Sequence, residues 1–265
     1  MITDKAGILI RQYVKDNLYD RISTRPFLNS IEKCWIAFQL LQCLSQCHEL
    51  GVYHGDIKLE NIMITSWNWV LLTDFASFKP TNLAVDNPAD FSYFFDTSRR
   101  RTCCIAPERF IKTMTSSNFY SAGTATVSSS SSSSVAPSSP SLIIHADEIK
   151  TGDLTEAMDI FSLGLFTEGT CPFDFSQLLK FITGDFDPHE TIQKIEDSNV
   201  KKLIQSMMQK DPAARLSASE YLELQHDKAF PEYFYTFLNG YMKSYVSVPE
   251  SPDEKIYRLK KTLTI

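Results

Sequence analysis

The run His54-Gly55-Asp56-Ile57-Lys58-Leu59-Glu60-Asn61 decides the reading of this chain, together with Asp74-Phe75-Ala76, which begins thirteen residues past Asn61. An Asp-x-Lys-x-x-Asn string alone is weak evidence, and its setting makes it strong. Upstream, Asn29 is placed to cap a long helix, with Glu32 three residues on. Apolar Ile31, Trp35, Phe38, Leu41 and Leu44 keep helical spacing, and Gly51 is a natural stop. Downstream, residues Asn61–Thr65 and Trp69–Thr73 predict two short strands joined by Ser66-Trp67-Asn68, a hairpin that ends at Asp74. Phosphoryl transfer accounts for the residue types. A carboxylate must orient the attacking hydroxyl, the part for Asp56, and a cation should steady the transferring phosphate, the part for Lys58. Hard oxygen ligands must hold magnesium against the phosphates of ATP, which suits Asn61 and Asp74.

Further matches follow in order. These first residues resemble the catalytic loop and magnesium-binding motif of protein kinases. Ala106-Pro107-Glu108 is similar to the end of a kinase activation segment, and Asp159-Ile-Phe-Ser162-Leu-Gly164 to the start of the central helix of the C-terminal lobe. Asp211-Pro212-Ala-Ala-Arg215 resembles the late Asp-Pro-x-x-Arg signature. The implied fold is α+β, a protein-kinase fold consisting mostly of the α-helical C-lobe with the last strand of the N-lobe. The resemblance also implies a buried ion pair between Glu108 and Arg215, and a His54 ring packed under the Asp-Phe motif. Lys58 favours the Ser/Thr class over the tyrosine class. Gln12, Tyr13 and Val14 fall where a hinge would touch the nucleotide, with Arg11 at the gatekeeper.

The stretches Thr65–Pro80, Asp86–Phe91 and Phe94–Thr102 narrow the match. They resemble the kinase-like domain of the large regulatory subunit of class III phosphatidylinositol 3-kinase, the vacuolar-sorting Ser/Thr kinase-like family, from about Ile8 to Tyr245. That resemblance implies the lipid kinase catalytic subunit and other autophagy and endosomal complex subunits as partners. It also implies a cytoplasmic location peripheral to endosomal, vacuolar or autophagic membranes, reached through the complex or through an N-terminus missing from this sequence. Two roles stay open: phosphate transfer from ATP to protein, and a non-catalytic pseudokinase scaffold that binds and restrains the lipid kinase.

Departures from the general kinase pattern bear on mechanism. Gly55 stands where His-Arg-Asp has arginine, so the arginine that normally reads an activation-segment phosphate is absent. Ala76 replaces the glycine of Asp-Phe-Gly. Thr102 lies one residue closer to Ala106 than is usual, and no substrate role is assigned to it. The Gly-rich loop, strand lysine and helix glutamate of a kinase have no counterpart in the sequence, which reads as N-terminally truncated. Seven residues separate Gly164 from Pro172 where the family usually has about eleven, a shortfall near one helical turn, roughly 5–6 Å.

Around this centre, residues 1–28 are expected to hold the last N-lobe strand, at Ile8–Val14, then the hinge and a following helix. Residues 29–245 would form the C-lobe, with a serine-rich insertion at 113–150 whose Thr113–Ser141 portion lacks the apolar content to order itself. Residues 246–265 read as a linker and the start of a helix capped by Ser251 and Glu254. Phe230, Phe234, Tyr235, Phe237, Leu238, Tyr241 and Tyr245 form a helical stripe expected to pack on the lobe. The 265 residues are 43% hydrophobic, enough for a real core, and carry a net charge of -6, which argues against a nucleic-acid partner. The six cysteines show no zinc spacing and read as reduced thiols. No apolar run is long enough to span a membrane.

Overall fold

The computed structural model describes residues 13–76, 78–111, 153–166 and 171–241, with 249–251, 253–254 and 257 beyond them; the side chains of 237–239 and 241 are not included. The serine-rich stretch and most of the expected strand at Ile8–Val14 lie outside these residues. Tyr13 and Val14 themselves have no regular structure, and strand pairing begins two residues later, with β1 at Asp16–Asn17.

Asn17 caps α1 (Leu18–Ser23) by accepting from the Asp20 amide at 2.9 Å. The long helix α2 runs Ser30–Glu49 and opens on the expected capping box, in which Asn29 accepts from the Glu32 amide and Glu32 from the Asn29 amide, both at 2.9 Å. It stops at Gly51, whose φ of 68° suits glycine. Its buried side chains are Ile36, Phe38, Gln39, Leu40, Leu41 and Leu44, while Ile31, placed on the apolar stripe by spacing alone, is exposed.

The hairpin forms as expected. β2 (Ile62–Ile64) and β3 (Val70–Leu72) pair antiparallel in the register Ile62↔Leu72, and β1 adds to the other edge of β2. A second, two-stranded parallel sheet joins β4 (Leu83–Ala84) to β5 (Phe110–Ile111), with α3 (Pro88–Phe94) between them in the chain. The central helix α4 spans Glu156–Gly164, with seven of its nine residues buried. It is short, as the spacing to Pro172 required. An apolar cavity opens beside its end, lined by Leu163 and Phe166 with Leu18, Ile36, Leu40 and Met207.

Then follow α5 (Phe175–Thr183), α6 (His189–Gln193), α7 (Ser198–Met207) and α8 (Ala218–Leu224). Helix α2 packs on α8 and α4 on α7. Of the last aromatic stripe, Phe230, Phe234 and Tyr235 pack on the lobe, while the side chains of Phe237, Leu238, Tyr241 and Tyr245 lie outside the described residues. Phe230 and Phe234 are buried, and Phe38 meets Phe230, Phe234 and Tyr235 at 5.7, 5.5 and 4.8 Å between ring centroids. The turn at Phe234–Tyr241 is a π-helix rather than the α-helix implied by the stripe. At the far end, Ser251 and Glu254 make the expected capping box.

Candidate active site

The loop 54–61 is pinned from below by Asp159, in the first turn of α4. This buried carboxylate accepts from the His54 amide at 2.7 Å, the Gly55 amide at 2.8 Å and His48 Nε2 at 3.0 Å. At a helix N-terminus the positive end of the dipole favours that negative charge. Gly55 sits at φ 73°, and a Cβ there would meet Leu154 Cδ1 at 2.5 Å. The backbone conformation selects glycine, whereas the contact is with the end of the Leu154 side chain, which can turn aside.

His54 is fully buried, with its ring centroid 4.5 Å from that of Phe75. Its Nε2 lies 2.9 Å from the Thr73 carbonyl, while its Nδ1 accepts from the Asp56 amide at 3.2 Å. Nε2–H donating with Nδ1 accepting is the neutral tautomer. Burial holds this ring below the usual histidine range, against the opposing pull of Asp159, the Thr73 carbonyl, Asp56 and Asp74. The Ala76 amide donates to the His54 carbonyl at 2.9 Å, so the two motifs are tied by backbone as well as by ring.

Asp56, Lys58 and Asn61 come together. Asn61 Nδ2 donates to the Asp56 carbonyl at 2.8 Å and to Asp56 Oδ2 at 3.2 Å. Lys58 Nζ lies 3.1 Å from the same Oδ2 and donates to the Phe95 carbonyl at 3.1 Å. With its amide nitrogen so engaged, Asn61 keeps its carbonyl oxygen for a ligand. The Thr73 amide donates to the Asn61 carbonyl at 3.0 Å, which sets Asp74 just past the end of the hairpin ladder. Asp74 is exposed, has φ 62°, and accepts from Thr73 Oγ1 through Oδ1 at 3.1 Å. The Asn61 amide oxygen and the second Asp74 carboxylate oxygen, which has no hydrogen bond among the described residues, are a donor set that fits magnesium. Gln12 lies outside the described residues. Tyr13 is exposed and Val14 half-buried, and among the described residues no hydrogen bond or ion pair joins either of them to Asp56, Lys58, Asn61 or Asp74.

Two residues absent from the sequence reading complete the site. Lys79 Nζ donates to Asp56 Oδ2 at 2.5 Å. Arg109, directly after Ala106-Pro107-Glu108 and 2% exposed, donates to the carbonyls of Gly55 (2.6 Å), Thr81 (2.7 Å) and Pro80 (2.9 Å), stapling the catalytic loop to the segment after Asp74. Burial lowers its pKa, against the upward pull of Asp56, Asp159 and Glu108. A small cavity beside Asp56 is lined by Lys58, Phe95, Ser98, Thr102 and Cys104. Glu108 itself meets Arg215 in a bidentate pair at 2.7 and 2.9 Å.

A loop pinned by a central-helix carboxylate, a hairpin ending in Asp-Phe, and a Glu–Arg pair closing the segment between them together make up a kinase lobe, and the protein kinase domain model matches residues 1–226. The chain belongs to the protein kinase domain family. It is 46% identical over 242 residues to the serine/threonine-protein kinase VPS15 of Arabidopsis thaliana, covering 89% of this chain and 14% of that protein. It is 46% identical over 247 residues to the serine/threonine-protein kinase vps15 of Schizosaccharomyces pombe, covering 91% and 12%. The VPS15 of Saccharomyces cerevisiae is 42% identical over 257 residues, 94% of this chain and 16% of that protein. The chain therefore spans a small part of the length of the relatives it matches.

Proposed function

We propose that this chain is the kinase domain of a Ser/Thr protein phosphotransferase that works as a regulatory subunit of a class III phosphatidylinositol 3-kinase complex in endosomal sorting and autophagy. The observation that carries the catalytic half is the convergence of Lys58 Nζ and Asn61 Nδ2 on the Asp56 carboxylate, beside the exposed carboxylate of Asp74. Asp56 would accept the proton of a serine or threonine hydroxyl, and Lys58 would steady the phosphoryl group as charge moves onto it. Magnesium, held by Asn61 and Asp74, would supply charge neutralisation to the phosphates of ATP. The regulatory half is supported by the resemblance of Thr65–Pro80 and Phe94–Thr102 and by the similarity to VPS15 kinases. Membrane contact would come through the complex: among the described residues, no helix is long and apolar enough to cross a membrane.

A second reading, a scaffold that transfers little phosphate, is favoured by the Gly55 position, where no arginine can read an activation-segment phosphate. Two measurements on the 265-residue chain separate the readings. Magnesium-dependent ATP binding, followed by calorimetry, is expected to weaken at least ten-fold on Asp74→Ala. Capture by the purified lipid kinase catalytic subunit is expected to survive that change. ATP binding indifferent to Asp74 would overturn the catalytic half, and failure to bind the lipid kinase would overturn the regulatory half.

A further inference from the structure

The turn after α8 gathers three groups able to ligate a metal, the one such cluster among the described residues. They are His226, Asp227 and Glu232, and one ligand atom from each lies within 4.8 Å of the other two. His226 meets a carboxylate at each ring nitrogen: Nε2 lies 2.5 Å from Glu232 Oε2, and Nδ1 lies 3.4 Å from Asp227 Oδ2. A neutral imidazole carries a single N–H. One of these contacts therefore sets a nitrogen lone pair against a carboxylate oxygen, unless a cation joins them. A proton on the ring would relieve that contact, but it leaves two carboxylates sharing one positive charge. A divalent ion balances both carboxylates and takes the ring lone pair as well.

The groups are anchored through their surroundings. Asp227 Oδ1 accepts from the Glu232 amide at 3.1 Å, and the Asp227 amide donates to the Phe230 carbonyl at 2.9 Å. The His226 ring lies against Tyr235 with centroids 4.4 Å apart, and the Tyr235 hydroxyl donates to the Leu222 carbonyl at 2.6 Å. Tyr235 also registers the local charge: its phenol is pushed up to about 12, by burial first and then by Asp227 and Glu232. The side chains of His226, Asp227 and Glu232 are 40, 66 and 49% exposed, so an ion reaches them without opening the fold.

We propose that His226, Asp227 and Glu232 form a structural site for a divalent first-row metal ion, with zinc the ion its ligand set suits, that clips the end of α8 to the lead-in of the π-helical turn at Phe234–Tyr241. One imidazole and two carboxylates are donors that zinc accepts, with water completing the shell. His226 would ligate through one ring nitrogen and keep its other N–H for a carboxylate, the arrangement that fixes a metal-bound imidazole. The clip would set where the chain leaves the lobe. It rests on neither the transferase nor the scaffold reading.

The full chain, stripped of metal with a chelator, is titrated with zinc alone at pH 7.5 by calorimetry, beside His226→Ala and Glu232→Gln. Wild type is expected to bind one equivalent with micromolar affinity, and each variant to bind roughly ten-fold or more weakly. Zinc should raise the melting temperature of wild type by several degrees, the chelator should reverse this, and neither variant should respond. Matching metal-free circular dichroism shows that the variants fold. Cobalt in place of zinc should give the visible bands of an ion held by nitrogen and oxygen, without the charge-transfer band that cysteine ligation produces. No binding, several weak equivalents, a cysteine band, or affinity unchanged in both variants would each overturn the site. A wild type that ignores zinc yet melts lower on His226→Ala would assign the cluster to a protonated histidine, which also overturns it.

Discussion

Arg215 uses every donor it has. Two N–H groups go to Glu108, and the others go to the carbonyls of Gln209 (2.7 Å), Ala157 (2.7 Å) and Lys210 (3.2 Å). Glu108→Ala should cost about 3–5 kcal/mol, since it strands a buried guanidinium. For a bare ion pair, replacing both partners by apolar side chains would be nearly neutral. Here Arg215→Met also orphans three carbonyls at about 1–3 kcal/mol each where water cannot reach them, so the Glu108→Leu/Arg215→Met double variant should melt no higher than Glu108→Ala. A double variant as stable as wild type in thermal melts would show that those carbonyls find other partners. The pair itself was legible from Ala-Pro-Glu and Asp-Pro-x-x-Arg, but its carbonyl partners were not. The same split runs through the site. Asp56, Lys58 and Asn61 sit in one short loop, where spacing reveals them. Lys79 and Arg109 gain their roles only when the segment after Asp74 folds back onto that loop, and no local pattern marks such a meeting.

Among the elements, the hairpin and α2 were read correctly, yet the bonds that join them were hidden. Gln39, on the buried face of α2, donates to the Asn68 carbonyl at 2.8 Å and accepts from the Val70 amide at 3.1 Å. Glu32, already part of the capping box, accepts from Asn68 Nδ2 at 2.9 Å. Asn68 has φ 58°, a conformation that asparagine tolerates in tight turns. One helix face thus fixes the turn whose far strand delivers Asp74. Gln39→Leu keeps the volume and removes both bonds, leaving a part-buried carbonyl and amide without these partners at a cost of about 1–2 kcal/mol. Hydrogen exchange at the Val70 amide should rise well before exchange in α4, whereas uniform acceleration would mean that the hairpin does not open on its own. Strand and helix types followed from periodicity, but the π-helical turn at Phe234–Tyr241 did not. The stripe spacing reported which residues are apolar, and the fit of Phe234 and Tyr235 around Trp35 and Phe38 is a matter of packing.

At the scale of the whole molecule, the catalytic loop lies where the hairpin, the segment after Asp74 and α4 converge, with His54 at the junction, fully buried and bonded on both ring nitrogens. Its pKa in the fold is lowered, chiefly by burial. In the unfolded chain it returns to about 6.5. Between the folded and unfolded values the unfolded state therefore binds the extra proton, so stability rises with pH in that window. The contribution is intact above the ordinary histidine range and is lost as pH falls through about 6.5 toward the folded value, with a slope of at most about 1.4 kcal/mol per pH unit for one proton. The structural reason is specific: a proton on Nδ1 would point at the Asp56 amide, setting donor against donor at the residue proposed to do the chemistry. Glu220 and Glu254 have pKa values lowered from the ordinary carboxylate range by bonds to Ser217 and Ser251, a shift away from the histidine range. The melting temperature of the full chain should therefore drop between pH 7.5 and 5.5. His54→Gln should start less stable and show a shallower slope, because its side chain can still donate to the Thr73 carbonyl but has no proton to gain. A variant with the wild-type slope would place the titration elsewhere and remove His54 from the account of acid sensitivity.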